Sequence, residues 1–171
     1  LYTGEYMKNK IAALIGIFVS FNALAFDEKS VAEANLRVHV KVARTCYVQD
    51  ADLNFGTIDG LFRIDKEAST DIVVRCTADA PYSLSLDAGR NFLDGSRRMA
   101  DDDSKNFIAY TLYQPDNTTL WDSEHQLSST ATGNDQFFTV HGVIPSGQNS
   151  VPGDRNYNDY VVIDLYMASA L

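Results

Sequence analysis

From residue 33 to residue 167 the chain keeps returning to a period of two, and that rhythm bounds what it can fold into. In EANLRVHVKVARTCYV, residues 33–48, Leu36, Val38, Val40 and Val42 fall on one side of an extended backbone, with Arg37, His39 and Lys41 on the other. The same alternation, in short β-branched and aromatic runs, predicts strands at TDIVVRC (70–76), YSLSLD (82–87), FIAYTLY (107–113), QFFTVHGVI (136–144) and YVVIDLYM (160–167). Turn-forming segments separate them: GTIDG, DAGRNFLDGS, QPDN, ATGND and the long PSGQNSVPGDRNYND. No helix longer than a couple of turns fits between. Short strands divided by turns predict an all-β, antiparallel sandwich.

The alternating segment lies close behind an export leader. Met7 opens it, Lys8 and Lys10 supply the positive end, Ile11 to Phe21 the apolar stretch, and Ala23-Leu24-Ala25 a small-x-small cleavage site. The stretch is too short for a comfortable membrane span, so residues 7–25 read as a signal peptide, with no membrane insertion after its cleavage. Residues 1–6 read as translation upstream of the true start. What remains from Phe26 is enough for one domain with a real core. The chain carries a formal net charge of −9, which disfavours nucleic acid and anionic membranes as partners, since both demand cationic patches. Its two cysteines, Cys46 and Cys76, form an even pair in an exported chain and predict a structural disulfide; the close C-x-x-C spacing of a redox enzyme is absent.

Counting the strand that ends near Tyr47 with the five later ones gives six, where a closed immunoglobulin-like sandwich uses about seven. One strand is missing by this count, and Leu171 follows the last strand too closely to supply it. The amino-terminal end has a surplus instead. About twenty residues from Phe26 to Thr45 can span up to roughly 65 Å when extended, whereas one strand needs about 17 to 20 Å.

No chemistry assembles from the side chains. His39, His125 and His141 lack ligand-type neighbours at useful spacing, so no metal site is expected, and no cofactor. Asp101, Asp102 and Asp103 lack the central glycine and distal glutamate of a calcium loop and read as a solvated turn. Neither G-x-S-x-G nor a P-loop occurs, and the chain does not read as an enzyme. Trp121, Tyr110, Tyr113, Phe137 and Phe138 admit a carbohydrate-binding surface, but alternating aromatics more often form core and cross-strand pairs. Tyr157 and Tyr160 resemble a tyrosine corner.

Several blocks, in order, resemble the spore coat protein U domain family, whose best understood members are subunits of archaic chaperone-usher pili. They are VHVKVARTCYV, LNFGTID, IVVRCTADAPYSLSLDAG, RRM ahead of FIAYTLYQPDNTTLW, FFTVHGVIPSGQNSVPGD and NYNDYVVIDLYM. The family usually runs from a glycine almost directly into the final tyrosine and aspartate. Here Asp154, Arg155 and Asn156 intervene before Tyr157 and leave the register of the closing hairpin open. The resemblance implies an incomplete immunoglobulin-like sandwich completed by donor-strand exchange. A donor extension over residues 26–38 would carry Val31, Ala34, Leu36 and Val38, with Val40 at its margin, and residues 39–171 would form the pilin domain. An acceptor groove would run along the last strand at Tyr160, Val162, Ile163, Leu165 and Met167. The implied partners are a periplasmic pilus chaperone, an outer-membrane usher and other copies of the chain or related pilins. The implied course runs through the periplasm to a cell-surface fimbria serving adhesion or biofilm formation. The alternative is a self-complemented secreted coat or matrix sandwich, its amino-terminal segment folded back into its own groove.

Overall fold

In TDIVVRC every second side chain is apolar, and in the computed structural model Ile72, Val74 and Cys76 are buried while Arg75 is exposed. The model describes residues 32–59, 62–148 and 151–167, so the leader and Val31 lie outside the described residues. The chain divides into two units, residues 1–40 and 41–171. The described part of the first, residues 32–40, has no regular secondary structure. The second contains nine strands among the described residues and no helix: β1 Cys46–Val48, β2 Lys66–Cys76, β3 Pro81–Leu86, β4 Arg97–Asp101, β5 Phe107–Tyr113, β6 Leu127–Thr130, β7 Gln136–Ile144, β8 Tyr157–Asn158 and β9 Ile163–Met167.

All pairings are antiparallel, as the alternation predicts. One sheet has the order β1-β2-β7-β5-β4-β8 and the other β6-β3-β9. One apolar cluster joins them: Ile72, Val74, Ile108, Tyr110, Leu112, Val140 and Ile144 from the first sheet meet Tyr82, Leu84 and Leu86 from the second. The sandwich expected from the sequence is therefore formed, with its core between the layers. Trp121 is fully buried and donates its indole N–H to the Leu84 carbonyl at 3.2 Å, so this aromatic belongs to the core and not to a ligand surface. Phe138 packs edge-on against Tyr82, while Phe137 is exposed.

Three departures from the sequence reading have physical causes. The count of six is too low, because β4 (RRMAD), β6 (LSST) and β8 (YN) are short and polar and show no apolar alternation. The first strand is three residues long, and the preceding Val42 is exposed although it continues the apolar row. The strand read from Thr70 begins at Lys66, since KEAS pairs with β7 without burying a large side chain.

The disulfide joins Cys46 of β1 to Cys76 of β2, which stand directly opposite in the ladder. Beside it Thr77 donates its backbone N–H to the Thr45 carbonyl at 2.9 Å, and Thr45 N–H donates to the Thr77 hydroxyl at 3.0 Å. The three-residue strand is thus held covalently at its first pair.

Candidate assembly groove

The last strand lies at the edge of its sheet. Among the described residues β9 pairs with β3 alone. Asp87 N–H bonds the Val162 carbonyl at 3.0 Å, which fixes the phase of the ladder: Val162, Asp164 and Tyr166 turn their backbone groups toward β3. By the same alternation the N–H and C=O groups of Ile163, Leu165 and Met167 point away from β3, along the open side. Val161, Ile163 and Leu165 pack against the core, so the strand presents its backbone sideways and its apolar face inward. This is the geometry to which another strand can be added.

Beside this edge a cleft of about 210 Å³ opens into the space between the sheets. Val161 and Ile163 line it on the β9 side and Leu53 and Phe55, from the segment after β1, on the other; Ile72, Leu86, Met99, Leu112 and Val140 complete its apolar wall. Gly142 of β7 makes the seat for Leu53 and Phe55, since a Cβ there would stand 2.7 Å from Phe55 Cζ and 2.9 Å from Leu53 Cδ2.

The residues leading into β9 are held from several directions. Asp159 accepts the Arg90 N–H at 3.0 Å and the Asn91 amide at 3.3 Å on Oδ1, and the Tyr110 hydroxyl at 2.7 Å on Oδ2. Burial and this contact with Asp159 raise the Tyr110 pKa, so the hydroxyl stays protonated and donates. Asp87 Oδ1 accepts the N–H groups of Gly89 and Val162, each at 2.9 Å. Gly89 has φ +76°, and a Cβ there would meet the Asp159 carboxylate, so glycine is required twice over. Arg97 of β4, largely buried, reaches across to bond the carbonyls of Leu86 (3.1 Å), Asp87 (2.6 and 2.9 Å) and Trp121 (2.9 Å). Burial lowers its pKa from the usual arginine value.

No closing hairpin forms, since β8 pairs with β4 in one sheet and β9 with β3 in the other, but the segment around β8 has its own anchors. Tyr157 donates its hydroxyl to the Pro152 carbonyl at 3.0 Å, the corner bond expected of it, while Tyr160 lies under the Arg90 guanidinium at 4.1 Å from the ring centroid. Arg155, one of the three intervening residues, donates to Asp101 at 2.8 Å and Asp103 at 3.1 Å, which ties the insertion to the turn after β4. Asp101 is buried and not solvated as the sequence suggested. It accepts the Asn106 side chain at 2.7 Å and the backbone N–H groups of Lys105 and Asn106 at 2.9 and 3.2 Å. No group of three His, Cys, Asp or Glu residues suited to a metal occurs among the described residues.

The bonds from Asn106, with the backbone donors and Arg155, hold the Asp101 carboxyl at about 2. An unfolded aspartate titrates near 3.9, so this stabilisation is complete above that value and disappears as the pH falls through about 2. Asp101→Asn is expected to show a smaller loss of stability than the parent between about pH 4 and pH 2. Urea unfolding at a series of pH values measures the difference.

The Spore Coat Protein U domain model matches residues 32–164. The chain belongs to the Spore Coat Protein U domain family. The Spore Coat Protein U domain therefore includes all of β1 to β8 and the start of β9, together with Arg97, Asp87 and Asp159. The fold also resembles that of a chain in the crystal structure of the CsuC-CsuE chaperone-tip adhesion subunit pre-assembly complex from archaic chaperone-usher Csu pili of Acinetobacter baumannii. The TM-score is 0.54 and the identity 22%, over 72% of this chain and 40% of that one. This Spore Coat Protein U domain thus spans less than half of that chain. No curated protein matches it.

The residues singled out in the sequence divide along the geometry. Cys46 and Cys76 are bonded. Ile163 and Leu165 are half-buried against the core, whereas Tyr160, Val162 and Met167 are exposed. Ala34, Leu36, Val38 and Val40 are exposed, and Val31 lies outside the described residues. The sequence reading passed over Val161, Leu53 and Phe55, which line the cleft. Val161 was legible in principle: it shares the parity of Ile163 and Leu165.

Proposed function

We propose that this chain is a subunit of a surface fibre of the chaperone-usher type, which polymerises when the amino-terminal segment of one copy adds as a strand to the open edge of the next. The observation that carries this reading is the β9 edge, which turns the backbone groups of Ile163, Leu165 and Met167 to the open side while Val161, Ile163 and Leu165 face the core. The exposed row of Leu36, Val38, Val40 and Val42 is a strand-length apolar face of the kind such an edge accepts. Burying the first three at about 1.5 to 3 kcal/mol each contributes roughly 5 to 9 kcal/mol per joint before ordering costs.

On this reading the chain is exported, oxidised at Cys46 and Cys76 in the periplasm, held at the open edge by a periplasmic chaperone, delivered to an outer-membrane usher and displayed in a fimbria. Adhesion and biofilm formation are the functions such a fibre serves. The resemblance to a subunit of a chaperone-bound pre-assembly complex supports the partner named.

Deleting residues 26–38 is expected to abolish polymers while the chain is still captured by its chaperone, because the edge remains and the donor row, without Leu36 and Val38, is too short to fill it. Co-expression with the chaperone, followed by affinity capture and by electron microscopy of assembled material, reads both effects. Normal polymers from the truncated chain would contradict the proposal.

A further inference from the structure

The side of β9 that faces away from the core carries one charge. Val162, Asp164 and Tyr166 share that face, and Asp164 stands between two large apolar side chains, opposite Ser85 of β3. Among the described residues Asp164 takes part in no ion pair. In the arm, the residues that alternate with Leu36, Val38 and Val40 are Arg37, His39 and Lys41, with Glu33 and Asn35 ahead of them. If the apolar set turns inward, the basic set turns outward, onto the same face as Asp164.

We infer that Asp164 is a specificity-determining residue for the arm of a second copy, pairing with the basic row Arg37 to Lys41 across the added strand. The inference rests on the strand-addition reading above and names what that edge selects. It holds for every register that sets Arg37, His39 or Lys41 opposite Asp164. Outward residues on neighbouring strands stand directly opposite or diagonal to one another. When Arg37 or Lys41 is opposite Asp164 the pair is direct, and when His39 is opposite, both cations lie diagonal to the carboxylate. A register displaced toward Glu33 brings like charges together and is disfavoured. An arm lacking this basic row finds no charge partner at the edge.

The test mixes the mature full-length chain with a fluorescent synthetic peptide of residues 30–42 and follows binding by anisotropy. The peptide carrying Arg37→Glu and Lys41→Glu is expected to bind the parent chain about threefold to tenfold more weakly than the natural peptide, an effect of surface-pair size. Asp164→Lys is expected to invert the preference, and Asp164→Asn to reduce it. The difference should shrink at 1 M salt, where the screening length is about 3 Å. Because the reversed peptide is tested on the parent chain, the comparison stands even if a variant folds poorly. Equal binding of both peptides to the parent overturns the assignment of Asp164 and leaves strand addition intact. Binding of neither peptide, on a chain shown to be folded, overturns both.

Discussion

Replacing Arg97 by methionine is expected to destabilise the domain by about 3 to 5 kcal/mol, a large part of the 5 to 15 kcal/mol typical of a domain. The methylene stem of methionine keeps much of the packing, so the loss isolates the guanidinium. Arg97 gives Nε and Nη2 hydrogens to the carbonyls of Leu86, Asp87 and Trp121, which come from two separate stretches of chain. Without it these acceptors lose a charged donor, and each buried group left unmade costs about 1 to 3 kcal/mol. Arg97→Lys is expected to recover only part of the loss, since an ammonium cannot present the planar fork that serves several carbonyls at once. Urea unfolding of the three proteins, followed by Trp121 fluorescence, measures both steps. A loss below about 1 kcal/mol for Arg97→Met would mean that water serves these carbonyls equally well.

The disulfide is expected to contribute about 3.5 kcal/mol, the chain-entropy value for cysteines 30 residues apart. Its structural effect is more specific than its size. The short β1 has only three paired residues, and the chain continues from it through Leu53 and Phe55 into the wall of the cleft. Cutting the bond frees β1 to fray from β2 and loosens that wall. Cys46→Ser with Cys76→Ser should therefore lower the urea midpoint and accelerate amide exchange first in β1 and in residues 51–55, before the β2-β7 ladder is affected. Uniform acceleration throughout the sandwich would instead mean that the bond acts only on the unfolded chain.

The longer strands were legible because each buries one face and therefore alternates: FIAYTLY buries Ile108, Tyr110 and Leu112. β4, β6 and β8 were not, since an edge or short strand with polar side chains carries its information in backbone bonds that leave no period in the sequence. The count of six is too low, because nine strands, several of them very short, are present among the described residues. What the count misses is the position of β9 at a sheet edge, a property of pairing order that no local pattern encodes.

The residues that support the groove were equally hidden. Asp159 is bonded to Arg90 and Tyr110 across 69 and 49 positions, and Arg97 to backbone carbonyls, which have no residue signature at all. The three residues inserted before Tyr157 left the register of the last hairpin open; the structure forms no such hairpin, because β8 pairs with β4 and β9 with β3, and Arg155 ties the insertion to Asp101 and Asp103. By contrast the tyrosine corner of Tyr157 was readable, because its partner lies only five residues upstream.

The central claim is that the β9 edge is open in the single chain and closed in the fibre. Residue-resolved amide hydrogen exchange tests it at Ile163 and Leu165, compared between the purified mature monomer and assembled material. The account predicts fast exchange at both amides in the monomer and slowing by at least about a hundredfold on assembly, with Asp164 and Tyr166, bonded to β3, slow in both. Strong protection of Ile163 and Leu165 already present in the monomer would contradict it.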